Sequence, residues 1–267
     1  FGLHVLSEQA ENTTLLEVDR PLLLLRAQAE ADLARYPMVE RRAAKVTRAE
    51  RRDDGFAVVL ADGTRETTRK LVLATGLHQA LPSVEGFEEY WGHGVHSCPY
   101  CDGYENRDRP LVVYAHGEAA RGMALELTVW SDDVTLCTDA HPTDFSDHDR
   151  ARLGRHGVRI VETPIRRLEG DGRQPHQLTF ADGSSLPCHA VFLMPMPCEP
   201  SDLITQLGCD LTHKGVVPTG EYETTNVPGL FVAGDASRRV QFAVVAAAEG
   251  AMAAFAVNTE LLREDVA

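Results

Sequence analysis

The chain has 267 residues, 43% of them hydrophobic and 25% charged, and a formal net charge of −14. That is enough apolar material for one large or two modest globular domains. The acidic balance argues against nucleic acid or an anionic membrane as partner, because both need a basic footprint, and neither an apolar run of membrane-spanning length nor a signal peptide is read.

Residues 1–40 read as mostly helical. Leu22–Leu25 and the alanine-rich run Ala27–Leu33 favour helix, and Pro37 stops it. The chain begins at Phe1 rather than Met, as a processed, clipped or de-tagged product would. A strand-rich segment follows: Val39–Val46, Phe56–Leu60 and Arg65–Arg69, with Asp62-Gly63 as a turn, predict a small antiparallel meander. Lys70–Gly76 is a buried strand running into a glycine turn, a common end for a parallel strand at a ligand crevice. Leu81–Gly94 reads as loop.

The stretch Cys98-Pro99-Tyr100-Cys101-Asp102-Gly103-Tyr104-Glu105 carries the strongest chemical signal. Two cysteines two residues apart can close a disulfide and open it again. A helix starting at or just after Cys98 would stabilise a thiolate through its N-terminal dipole. Half of a zinc knuckle would need a second Cys/His pair, and Cys137, Cys188, Cys198 and Cys209 are scattered singly, so no metal site is predicted. Two chance surface cysteines are the other alternative. Six cysteines in a chain of this size do not make a secreted disulfide scaffold; a reducing cytoplasm with one working pair fits better. Cys137 and Cys188 read as buried small hydrophobes, Cys198 and Cys209 as partly exposed.

A polar linker, residues 106–109, leads to a second unit at Pro110. Leu111–Tyr114 is a strand, Ala115–Ala120 a turn, Ala120–Trp130 a helix and Val134–Cys137 the next strand: a βαβ pattern of the dinucleotide-binding kind. Asp144–His156 predicts helix and Val158–Val161 strand. Leu178–Phe180 and Leu186 flank Asp182-Gly183 as a second hairpin, and Ala190–Met194 is a buried strand. Gly229–Asp235 is a strand ending in Gly-Asp, and Phe242–Val257 a buried helix in which Gly250 marks close packing or ligand approach. The expected layout is one domain, 1–106 with 221–267, interrupted by a second at 107–220.

Four stretches now stand in one order: Leu73-Ala74-Thr75-Gly76, the Cys98/Cys101 pair, the turn Ala115–Ala120, and Gly234-Asp235 with Gln241 and Ala246–Gly250. Together they resemble the low-molecular-weight thioredoxin reductase family of flavoprotein disulfide oxidoreductases. Trp91-Gly92, Cys98–Glu105 and Trp130–Leu136 are similar to the branch that includes small-molecule dithiol oxidases of the gliotoxin and holomycin type. The resemblance implies an α/β fold of two Rossmann-like dinucleotide-binding domains with small antiparallel meanders. The first domain is expected to be N-terminally incomplete, because the family's opening strand and G-x-G-x-x-G turn have no counterpart after Phe1.

The same resemblance implies FAD, with Thr75, Gly76, Gly234, Asp235 and Gln241 on the cofactor side. It implies Cys101 against the flavin, Cys98 as the outer thiol, and Asp102 moving protons to and from the leaving thiolate. The dithiol oxidase branch often has histidine there, so Asp102 leans towards the reductases. His96 is a solvated loop histidine, an imidazolium that lowers the thiol pKa, or a neutral base. At the nicotinamide site Gly117 lets a pyrophosphate approach, whereas Ala115 crowds the tight turn. Asp139 would repel a 2′-phosphate and accept from a ribose hydroxyl, so NADH is expected over NADPH, with a domain that binds neither as the alternative.

The expected function is FAD-dependent oxidation of a small dithiol through the Cys98–Cys101 disulfide, with oxygen as acceptor. A nicotinamide-driven reductase of a thioredoxin-like protein is the alternative within the class. A remnant or split-enzyme subunit with a binding or regulatory role is the alternative outside it. The family implies a cytoplasmic homodimer.

Overall fold

A computed structural model describes residues 3–7, 20–194, 198–237 and 241–267. Its elements in chain order are β1 (Leu3–Ser7), α1 (Arg20–Leu33), β2 (Val39–Ala43), β3 (Val46–Arg52), β4 (Gly55–Leu60), β5 (Arg65–Thr68), β6 (Leu71–Leu73), β7 (Leu77–Gln79), β8 (Val95–His96), α2 (Pro99–Asp102), β9 (Leu111–Tyr114), α3 (Gly117–Leu127), β10 (Val134–Cys137), α4 (Asp147–Arg155), β11 (Arg159–Val161), β12 (Ile165–Asp171), β13 (Gln174–Phe180), β14 (Ser185–Pro187), β15 (Ala190–Leu193), β16 (Cys198–Pro200), α5 (Asp202–Gln206), β17 (Leu230–Val232) and α6 (Ala243–Val266). The chain divides into two units: of the described residues, 3–7, 20–79, 198–237 and 241–267 belong to unit 1 and 80–194 to unit 2.

These boundaries differ from the expected 106/107 and 220/221. Strand β8 pairs with β15 in parallel, so the stretch before the cysteines joins unit 2. Cys209 and Val217 pack into a core with Phe56, Leu73 and Leu230, so that segment belongs to unit 1.

Unit 2 is built on one parallel sheet in the order β11-β10-β9-β15-β8. Strands β9, β10 and β15 are four-residue runs, apolar but for Thr135, and buried along their whole length, as parallel strands covered on both faces must be. Helix α3 buries Ala120, Met123, Ala124 and Leu127, spaced i, i+3, i+4, i+7, against this sheet's core. A second, antiparallel sheet β12-β13-β14 contains the expected hairpin and adds β12, which was not expected.

Unit 1 holds its parallel strands in two pairs, β1-β2 and β6-β17. The antiparallel meander is β3-β4-β5. Val39–Ala43 was expected in that meander and instead pairs in parallel with Leu3–Ser7, a segment expected to be helical. Helix α6 outruns its expected end at Val257 and buries only Glu249, Ala253 and Ala256. It was expected to be buried, but Val244, Met252, Phe255 and Leu262 are exposed. By length and composition alone α6 also reaches membrane-spanning size, which corrects the reading that no apolar run does. Gly250 marks no close approach, since a Cβ there would meet nothing within 4 Å. Far along α6, Lys70 Nζ lies 2.7 Å from Glu260 and 2.5 Å from Glu264, and Arg69 lies 2.7 Å from Asp265.

Candidate active site

Strand β8 delivers the chain to Cys98, the N-cap of α2, with extended backbone. Pro99 occupies the first helical position, where its fixed φ suits the turn and its missing N–H costs nothing. The Cys101 amide donates to the Cys98 carbonyl at 3.1 Å, and Cys98 and Cys101 are joined as a disulfide with their Cα atoms 5.3 Å apart. Cys101 is exposed and Cys98 partly so.

The residues after the pair fix it from behind. A Cβ at Gly103 would collide with the Trp130 indole and the Pro99 carbonyl, so glycine is required there for space rather than for backbone conformation. Tyr104 stands edge-on to Trp130 at 6.2 Å, and the Arg107 guanidinium lies 4.0 Å from the Tyr104 ring centroid. Buried Asn106 donates from Nδ2 to the Asp102 carbonyl at 2.8 Å.

His96 is 6% exposed, which rules out the solvated loop histidine. Its ring centroid lies 5.4 Å from that of Phe192, and its Nδ1 lies 3.4 Å from Asp102 Oδ1. Burial pushes the imidazole down to about 4, so the ring is neutral at neutral pH and the imidazolium role is removed. Nε2 is buried with no hydrogen-bond partner among the described residues. Cys98, Cys101, Asp102 and His96 therefore lie together, with His96 as the neutral, packed member.

Elsewhere in unit 2, Gly117 opens α3 with φ +67, and a Cβ there would meet nothing within 4 Å. Before it, His116 stacks on His141 with ring centroids 4.4 Å apart. Asp139 follows β10, and both of its carboxylate oxygens are engaged: Oδ1 accepts from the Ile165 amide at 2.6 Å and Oδ2 from the Tyr114 hydroxyl at 3.1 Å. Cys137 and Cys188 are buried as expected; Cys209, expected to be partly exposed, is buried too. The Cys198 side chain lies outside the described residues.

The remaining predicted residues lie in unit 1, where β6 and β17 run parallel with Leu73 opposite Val232. Both strands end in turns, so Thr75-Gly76 and Gly234-Asp235 leave the same end of the pair, where open parallel sheets bind ligands. Gly76 and Gly234 have φ of +65 and +82, a conformation that favours glycine. Thr75 is exposed, and Gln241 and Asp235 are partly buried. The Asp235 carboxyl is raised by burial and then by the Glu249 charge. The open Gly76 backbone, the exposed Thr75 hydroxyl and the Asp235 carboxyl form a donor and acceptor set that fits the ribityl and pyrophosphate part of FAD.

Sequence reasoning missed Glu249. It is 5% exposed in a helix of small residues, and its Oε2 accepts from the Gly234 amide at 2.7 Å. A signal was present: Glu249, Ala253 and Ala256 are spaced i, i+4, i+7, the stripe of a buried helix face.

A family model described as pyridine nucleotide-disulphide oxidoreductase matches residues 24–250. HlmI has 34% sequence identity and a TM-score of 0.84, with 92% of this chain and 77% of that chain covered. The putative thioredoxin reductase TrxB from Bacillus anthracis has 26% identity and a TM-score of 0.83, covering 91% of this chain and 82% of that one. A probable thioredoxin reductase of Arthroderma benhamiae is 29% identical over 246 residues, and the match spans 80% of this chain but only 61% of the relative's length. The chain belongs to the pyridine nucleotide-disulphide oxidoreductase family, among its thioredoxin reductase-like members.

Proposed function

We propose that this protein is an FAD-dependent thiol–disulfide oxidoreductase that oxidises a small dithiol through Cys98–Cys101, with oxygen as final acceptor. The observation that carries the reading is the closed disulfide at the start of α2.

One substrate thiolate attacks Cys98 Sγ and Cys101 leaves as thiolate, giving a mixed disulfide. The second substrate thiol then displaces Cys98, so the substrate becomes a disulfide and the enzyme pair takes up two electrons. Asp102 carries protons to and from the leaving thiolate. Neutral His96 stands beside it, with Nδ1 3.4 Å from Asp102 Oδ1. Thr75, Gly76, Gly234, Asp235 and Gln241 hold FAD, which when bound supplies the two-electron acceptor between the reduced pair and oxygen.

Oxygen is favoured over nicotinamide because Asp139 is already engaged by Tyr114 and Ile165. One observation favours a second reading, a nicotinamide-driven reductase of thioredoxin-like proteins: Asp102 stands where the dithiol oxidases often carry histidine. If unit 2 takes a nicotinamide cofactor, NADH is expected over NADPH, at Gly117 and Asp139.

The test is a visible spectrum of the purified protein, then addition of dithiothreitol in air. The expected result is a flavin band bleached by dithiol and restored by oxygen with formation of peroxide. Cys98→Ser and Cys101→Ser are each expected to lose on the order of a thousandfold in rate or more. Disulfide reduction driven by NADH or NADPH without oxygen uptake selects the second reading. A protein that stays colourless with added FAD overturns both.

A further inference from the structure

The Gly234 turn is tied to α6 by one buried acid. Glu249 is 5% exposed and Ser237 is 7% exposed. Glu249 Oε2 accepts the Gly234 N–H at 2.7 Å and lies 3.0 Å from Ser237 Oγ. The Ser237 amide donates to the Gly234 carbonyl at 2.9 Å, which closes the turn around Asp235. The Val217 amide donates to the Ala236 carbonyl at 2.8 Å and anchors the far side. Burying a carboxylate is costly unless hydrogen bonds compensate it, and a bond from a backbone N–H to a carboxylate is among the stronger kinds. An acid at this position of an alanine-rich helix does nothing for helix packing that alanine would not do. Among the described residues, its polar contacts lie on the turn that carries Asp235.

We propose that Glu249 is the positioning residue of the cofactor turn: by holding the Gly234 amide and the Ser237 hydroxyl it sets Asp235 in the conformation that meets the ribityl–pyrophosphate part of the flavin. This rests on the flavin reading above. Among the described residues, Glu249 is the charged group that acts on Asp235, and its like charge opposes Asp235 ionisation.

The experiment uses the full chain, stripped of flavin and titrated with FAD across pH, alongside hydrogen exchange of the segment 230–237. Glu249→Ala is expected to weaken FAD binding about tenfold or more and to speed exchange of the segment with or without FAD. Glu249→Gln keeps an acceptor for the Gly234 amide but loses the charge. It is expected to keep near-normal protection and to shift the pH midpoint of FAD binding downward, because Asp235 then ionises more easily. A merely structural role would leave that midpoint unmoved. Wild-type binding that Glu249→Ala leaves undiminished, with unchanged exchange, overturns this inference alone. A wild-type chain that takes up no FAD overturns the flavin reading and this inference with it.

Discussion

Unit 2 gathers five parallel strands into one sheet, whereas unit 1 divides its parallel strands between two pairs. The redox pair follows β8, the edge of the larger sheet, and the predicted cofactor turns follow the smaller pair β6-β17. The two regions fix their functional groups by different physics. Unit 2 surrounds His96 with apolar bulk, Phe192 above all, and burial both positions the ring and removes its charge. Unit 1 relies on separate polar ties, Glu249 to Gly234 and Lys70 to Glu260 and Glu264, which position a group while keeping charge in play.

The largest expected effect attacks the apolar side of that contrast. Phe192 is 0% exposed, and Phe192→Ala is expected to cost about 3–5 kcal/mol in urea unfolding. It should also let water reach His96 and raise its pKa by NMR titration. A loss below about 1 kcal/mol would break the contrast.

The next effect is in pH. His96 titrates at about 4 in the folded chain against an ordinary 6.5, so the unfolded chain binds the proton more readily. Its contribution is whole above the ordinary value and is lost as pH falls from there towards the folded value, about 3 kcal/mol in all. His96→Phe should flatten that slope between neutral and acid pH. An unchanged slope would mean that other groups produce it.

Lys70 tests the polar side. Burial lowers its pKa, but Glu260 and Glu264 outweigh burial and hold it above the ordinary lysine value. Its contribution is therefore complete below the ordinary value near ~10.4 and disappears only as pH rises through the raised one. Because both acids are partly exposed, Lys70→Ala should cost only about 1 kcal/mol, reduced by salt. The smallest change sharpens the picture of α6. Gly250→Ala should stabilise the fold against unfolding by about 0.5–1 kcal/mol, since the position is open and helical. Destabilisation there would mean that something packs on that face.

Much of unit 2 was legible. Ala190–Leu193 is an uninterrupted apolar run and Val134–Cys137 is broken only by Thr135, as doubly covered strands are, and both form where expected. Cys98 to Asp102 was legible because the cysteine spacing permits a disulfide and Pro99 suits the first position of a helix. Strand β12 was not: Ile165–Asp171 carries four charged residues and buries only Leu168, and it is a strand because β13 pairs with it. Leu3–Ser7 likewise gains its conformation from a partner 36 positions along the chain, in register with Val39. The role of Glu249 lies in contacts that spacing along α6 hints at but cannot identify.

Asp139 has a consequence for anyone who would redesign cofactor preference in this protein. It follows β10, at the place proposed to read a nucleotide, with φ +52 in a left-handed turn shared with Ala140, while serving Tyr114 and Ile165. A swap to arginine intended to attract a phosphorylated ribose would strand an amide and a phenol together. Recruitment of a new coenzyme would have to begin by resettling Tyr114 and the start of β12, and only afterwards alter Asp139 itself.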